Sequence, residues 1–205
     1  MPLHSAVRMV LLAAAVQAGS FGAVAAEEGP VAAWDFDQVQ GRCLADRSGH
    51  GNQLNVMGGS LTKGLSGSGL DASGRHGSVS ALSQESLAPR GALSLEVWIQ
   101  PRQLPTQSDS LATILRKEGC YSLRFAGARL GLVLWFDGAP VTLTGKKSDW
   151  QPGQWYHVVA TYDGRHSRLY VNGSEDAHAA RPAPQPLDAA ATNCHVGSAG
   201  SQNRF

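Results

Sequence analysis

Blocks of like charge, closely spaced cysteines and long helix-periodic stretches are all missing from this sequence. Lys and Arg number 17 against 16 Asp and Glu, giving a formal charge of +1 with the two signs interspersed. No basic stripe is available to track a nucleic acid or an anionic membrane surface, so neither is expected as a partner. Three cysteines, Cys43, Cys120 and Cys194, stand far apart without a CxxC pair. That spacing excludes a zinc-finger type of cluster, which needs neighbouring thiolates or histidines. It leaves open one disulfide plus a spare thiol, in any of three pairings, or three small buried hydrophobes.

Nucleophile and phosphate signatures are missing too. There is no Gly-x-Ser-x-Gly elbow, and His157, His166, His178 and His195 come without a cysteine–histidine signature. His157, on a strand face, reads as a packed residue. "GLSGSGL" lacks the lysine of a phosphate-binding loop and no helix follows it, so it reads as a turn. What remains is a chain that is 42% hydrophobic and 16% charged, enough apolar material for one core and one domain.

The N-terminus carries the clearest local signal. Arg8 sits in a short basic lead, "MVLLAAAVQAG" is apolar, and "FGAVAA" ends the run with small residues before Glu27 and Glu28. Residues 1–26 are therefore expected to be a secretory signal peptide, cleaved after Val24 and Ala26 or Ala23 and Ala25 at the small positions. The apolar run is too short to cross a bilayer core of about 30 Å comfortably. The expected mature chain, 27–205, has no membrane span and is secreted, periplasmic or held at the cell surface.

Across that chain the period is two. "VAAWDFD", "QLNVM", "GSVSAL", "ALSLEVWIQP", "LATILRK", "CYSLRFA", "RLGLVLWF", "APVTLT", "WYHVVATY", "SRLYVNG" and "CHVGS" are short runs rich in β-branched, aromatic or leucine residues. "RSGHGN", "SGSG", "FDGAP", "QPGQ", "YDGRH" and "VNGS" separate them with turn formers. About ten strands at this spacing predict an all-β, two-sheet antiparallel jelly-roll sandwich. Only "LSQESLAP" offers a turn or two of helix. In "WYHVVATY" the alternation sends Tyr156, Val158, Ala160 and Tyr162 to one face and Trp155, His157, Val159 and Thr161 to the other. Neither face is strongly polar, which predicts a central strand.

Taken in order, "ALSLEVWIQP", "ATILRKEGCYSLRF", "RLGLVLWF", "WQPGQWYHVVATYDGRHSRLYVNG" and "CHVGS" resemble the laminin-G-like, concanavalin A-like jelly-roll family. The opening "VAAWDFDQVQGRCLADRSGHGNQLNVMGG" is similar to that family's first strand, its aspartate-serine-glycine-x-glycine-asparagine loop and the next strand. The resemblance implies the concanavalin A-like sandwich and covers nearly all of 27–205. It also implies a final phenylalanine-glycine-isoleucine-aspartate strand beyond the "SQNRF" end, so the domain is expected to be truncated before that strand. Secreted relatives are often one module of a larger protein, and the same is expected here.

The wider superfamily includes glucanases, which work with two carboxylates about 5 Å apart when configuration is retained. On a strand that requires acidic residues at alternating positions, and no Glu-x-Asp-x-x-Glu run occurs. Glu96 stands alone among neutral neighbours and reads as a surface carboxylate. No catalytic residue is assigned.

Two sites remain to be tested by structure. "ADRSGHGNQ" offers Asp46 and Asn52 as oxygen ligands, with glycines that let carbonyls turn inward, and the family resemblance implies a structural Ca2+ that Asp46 could hold. With one carboxylate in the loop, an Asx-type turn closed by its own hydrogen bonds is the preferred reading. A sugar site needs an aromatic plate with polar groups beside it. Trp98, on the Glu96 face, and Trp135, opposite Leu132 and Leu134, are the candidates, with core packing as the competing fate. The polar tips "RQLPTQSDS" and "TGKKSDWQPG" suit a loop-borne contact equally well. The expectation is a secreted, noncatalytic module that recognises a glycan or an extracellular protein. A hydrolase of the concanavalin-like superfamily and a structural spacer beside a catalytic domain are the alternatives.

Overall fold

A computed structural model describes residues 8–12, 29–56, 58–72, 79–105 and 111–197. The rest of the expected leader, part of the first polar tip and the "SQNRF" end lie outside the described residues. The first half is built of short strands: β1 (Arg8–Leu12), β2 (Ala32–Trp34), β3 (Val39–Gln40), β4 (Cys43–Leu44), β5 (Leu54–Val56), β6 (Ser60–Lys63), β7 (Ser68–Asp71) and β8 (Val79–Ala81). One turn of 3-10 helix at Glu85–Leu87 falls inside "LSQESLAP". The second half has longer strands: β9 (Leu93–Ile99), β10 (Leu111–Lys117), β11 (Tyr121–Ala126), β12 (Arg129–Phe136), β13 (Ala139–Thr144), β14 (Tyr156–Tyr162), β15 (His166–Val171) and β16 (Ser174–Ala180), then the short β17 (Cys194–Val196).

Two antiparallel sheets stack. A six-stranded sheet runs β16-β15-β14-β9-β1-β2, a nine-stranded sheet runs β13-β12-β11-β10-β17-β8-β5-β4-β3, and β6-β7 form a separate hairpin. The fold is the expected all-β jelly-roll sandwich. Each of β9 and β14 alternates buried and half-buried residues along its whole length, as a strand does when one face meets a core. Leu95, Val97, Ile99, Val158 and Ala160 from one sheet meet Leu123, Phe125, Leu132 and Leu134 from the other in a single core. β14 is central, flanked by β15 and β9, and Tyr156, Val158, Ala160 and Tyr162 are its buried side.

Turn chemistry sets the register of the β14–β15–β16 meander. Asn172 and Gly173 both take positive φ, 51° and 81°, matching the primed hairpin turn that follows the right-handed twist of the strands. The other reversal works differently: Gly164 has φ 92°, while Asp163 uses its side chain. Asp163 Oδ1 accepts from the N–H groups of Arg165 and His166 at 3.0 and 2.7 Å, and Oδ2 from the Arg168 guanidinium at 3.1 Å. "GLSGSGL" is the β6–β7 turn, closed by Gly64 N–H to Gly67 O at 2.8 Å.

Several strands differ from the sequence expectation. β3 and β4 are two residues each, too short for a period to register, whereas the three-residue β17 falls inside the expected "CHVGS" run. β16, "SEDAHAA", is mostly exposed and carries no alternation; it exists because β15 offers it an edge. β1 falls within the expected leader. Its backbone pairs with β9 from Arg8–Trp98 to Leu12–Ser94 and with β2 from Met9–Trp34 to Leu11–Ala32. An extended apolar run lies in the gap between two strands whose facing edges would otherwise be open.

Candidate ligand-binding face

Because Leu95, Val97 and Ile99 point into the core, Ser94, Glu96 and Trp98 project from the outer face of the six-stranded sheet. The same parity puts His157, Val159 and Thr161 of β14 and Arg168 and Tyr170 of β15 on that face. Register then decides which of them meet. Trp98 is opposite His157, while Glu96, Val159 and Tyr170 form the next row. The Trp98 and His157 rings are 4.8 Å apart between centroids and tilted by 32°. His157 Nε2–H donates to Glu96 Oε1 at 3.0 Å. His157 N–H in turn donates to Asn172 Oδ1 at 2.9 Å, tying the site to the Asn-Gly turn.

Trp98 is half-buried on an outer face, as is Trp135, so core packing claims neither. The buried tryptophans are Trp34 and Trp150. Trp98 and Trp135 are not brought together. Trp135 belongs to β12, with Leu134 and Phe136 buried on either side, and so faces outward from the nine-stranded sheet. Its N–H donates to Cys120 O and its carbonyl accepts from Asp188 N–H, both at 3.0 Å. No stacked aromatic partner of Trp135 is found among the described residues.

His157, expected to be a packing residue, is the group that joins Trp98 to Glu96. Parity in the sequence shows that it leaves the core. Its neighbours come from β9, some sixty positions earlier, and no local pattern announces them.

Glu96 has no carboxylate opposite. Along its row lie Val159, Tyr170 and then Glu175, three strand spacings or about 14 Å away across the sheet. That separation exceeds both the retaining and the inverting geometry. Glu175 is engaged by His178 Nδ1 at 2.7 Å.

Asp46 and Asn52 do meet, in a closed loop. Asp46 Oδ1 accepts from the N–H groups of Ala33 and Ser48, both at 2.9 Å. Oδ2 accepts from Ser48 Oγ–H at 2.7 Å and Asn52 N–H at 2.9 Å. Asn52, 1% exposed, donates through Nδ2 to Val31 O at 2.7 Å and accepts through Oδ1 from Ser86 Oγ–H at 3.3 Å. A cation at this carboxylate would face four inward-pointing N–H and O–H dipoles, so the donor set does not fit Ca2+. The loop is the Asx-type turn, and it clamps β2 to the β4–β5 region. No group of three or more His, Cys, Asp or Glu suited to a metal occurs among the described residues.

All three cysteines are free: Cys43 is exposed, while Cys120 and Cys194 are buried. Burial pushes the Cys194 thiol up to about 12, keeping it protonated and unreactive at neutral pH.

Comparisons with known proteins agree with this architecture. Mouse pappalysin-1 is 31% identical over 45% of this chain, and human pappalysin-1 is 30% identical over 43%. The matched parts amount to 7% and 6% of those relatives, so the chain spans less than a tenth of their length. Among solved structures, the binding domain of Paraclostridial Mosquitocidal Protein 1 superposes with a TM-score of 0.66 at 15% identity, covering 81% of this chain and 44% of that one. The ligand binding domain of botulinum neurotoxin serotype D, solved with N-acetylneuraminic acid, gives 0.62 at 16% identity, covering 82% and 42%. At these identities the likeness is one of fold. A laminin-G-type family model matches residues 73–205, more than half of the sequence. Sandwich, strand order and this match together place the chain in the concanavalin A-like lectin/glucanases superfamily.

Proposed function

We propose that this chain is a secreted, noncatalytic recognition module that binds a carbohydrate on the outer face of its six-stranded sheet, at Trp98, Glu96 and His157. The observation that carries the reading is the Trp98–His157–Glu96 assembly. A half-exposed aromatic plate stands beside a histidine whose ring is fixed by a carboxylate 3.0 Å away. Sugar recognition needs those parts: an apolar plate for the C–H face of a pyranose and oriented polar groups for its hydroxyls. Glu96 keeps a second oxygen for a ligand hydroxyl, and Tyr170 extends the face.

A stability role accounts poorly for the pair. His157 and Glu96 side chains are 26% and 40% exposed, and ion pairs at that exposure contribute about 0–1 kcal/mol. The solved relative holding N-acetylneuraminic acid supports the class of ligand, and the leader pattern of residues 1–26 supports export. The separation of Glu96 from Glu175 argues for recognition over hydrolysis. Glycan-array binding by the intact chain and by Trp98→Ala tests the proposal. Signal that disappears in the variant supports it; equal signal in both proteins would place binding away from Trp98 and overturn the assignment to this face, and no ligand for either protein at millimolar sugar favours the spacer.

A further inference from the structure

The opposite outer face carries a second cluster, unrelated to Trp98. β10 pairs with β17 so that Arg116 lies beside His195, and with β11 so that Arg116 lies opposite Ser122. Leu115, Lys117, Cys194 and Val196 point inward, so Arg116 and His195 point outward. Arg116, Glu118, Thr192, Asn193 and His195 line a cavity of about 340 Å³, within the usual range for small-ligand sites. Arg124, two residues beyond Ser122 on the same face of β11, adds its guanidinium close enough to act electrostatically on Arg116.

Positive charge exceeds negative charge in this cluster. Arg116 pairs with Glu118 through one terminal nitrogen. Arg116 Nε and Ser122 Oγ are buried without a hydrogen-bond partner among the described residues. Arg124 makes no ion pair among the described residues. Burial, and then the Arg124 charge, lower the Arg116 pKa; burial, and then the Arg116 charge, lower that of His195. Arg116 therefore stands between its partner Glu118 on one side and Arg124 on the other, with His195 beside it, so that two guanidinium groups are set against one carboxylate. Such a fork of donors matches the oxygens of an anion.

We propose that this cavity on the nine-stranded sheet binds an oxyanion carried by a sugar, a carboxylate or a sulfate ester, through Arg116 and His195, which line it, with the neighbouring Arg124 adding positive charge. The site is separate from the Trp98 face, so the two give the module two carbohydrate contacts on opposite surfaces.

The test follows the His195 ring signals by NMR while the chain is titrated, at constant ionic strength, with sulfate, glucuronate or glucose. Saturable movement is expected with sulfate, glucuronate or both, and none with glucose, which lacks the charge. Whichever anion saturates identifies the oxyanion. Arg116→Gln and Arg124→Gln are each expected to weaken binding about tenfold or more. Should Arg116→Gln lose its fold, Arg124→Gln and the charge-keeping Arg116→Lys still report. Non-saturating shifts with both anions, an equal response to glucose, or undiminished affinity in Arg124→Gln would overturn the proposal.

Discussion

Glu96 Oε1 accepts a hydrogen bond from His157 Nε2–H at 3.0 Å, joining two strands whose residues are 61 positions apart. Because a carboxylate can only accept, the bond sets the His157 tautomer and holds the ring against Trp98. Glu96→Gln keeps the size of the side chain but weakens the acceptor. Sugar affinity is expected to fall about tenfold, with thermal stability changed by less than about 1 kcal/mol. Calorimetric titration beside a melting curve separates the two. A large loss of stability would mean that the pair is structural.

Trp98→Ala and Trp135→Ala act on opposite faces. Loss of a stacking plate costs about tenfold or more in affinity, so the first variant is expected to lose neutral-sugar binding and the second to retain it. Equal losses in a binding assay would contradict the assignment to one sheet.

Asp46 satisfies four donors with one carboxylate. Asp46→Ala is expected to destabilise the fold by about 3 kcal/mol, because several buried donors lose a charged acceptor at once. Neither EDTA nor added calcium chloride is expected to move the wild-type melting temperature. A rise with calcium that Asp46→Ala abolishes would restore the metal reading.

Asp163 carries the acid response of the β14–β15 hairpin. Burial alone would raise its pKa. Hydrogen bonds from the His166 and Arg165 N–H groups and the Arg168 guanidinium outweigh that and hold it at about 2, against 3.8 for an ordinary aspartate. Between those values the unfolded chain binds more protons than the folded one, so the contribution is complete above pH 3.8 and is lost as pH falls toward 2. Asp163→Asn is expected to flatten the decline of stability with acid in that window. Urea titrations at stepped pH measure the slope; an unchanged slope would remove Asp163 from the account.

A chain starting at Glu27 lacks β1. β2 then has no partner in the six-stranded sheet, and β9 loses its pairing along Ser94–Trp98. Amide exchange in that stretch is expected to accelerate relative to the β14–β15 hairpin, and the open edges to promote association. A synthetic peptide spanning Arg8–Leu12 is expected to restore protection. Unchanged exchange without β1 would show that the gap closes by another route.

Much of the sandwich was legible locally. Parity along "SLEVWIQ" and "WYHVVATY" sorted Leu95 and Val97 from Glu96 and Trp98, and Tyr156 and Val158 from His157, because side chains alternate across a strand whatever its neighbours are. The Asn172-Gly173 turn was legible for a similar reason: a positive φ at both positions selects those residues. Two-residue strands such as β3 and β4 were not, since so short a run has no period. β16 was missed because its pairing comes from the edge of β15, with no contribution from its own hydrophobicity.

By itself the sequence determined the layer type, the central place of β14 and the direction in which each long-strand side chain leaves its sheet. These follow from a two-residue repeat and from turn residues, both local properties of the chain. Only the tertiary structure decided who meets whom: His157 between Trp98 and Glu96, Arg116 beside His195, and Trp98 and Trp135 on opposite surfaces. Such contacts depend on strand order and register, which arise when distant segments compete for the same backbone hydrogen bonds and the same core.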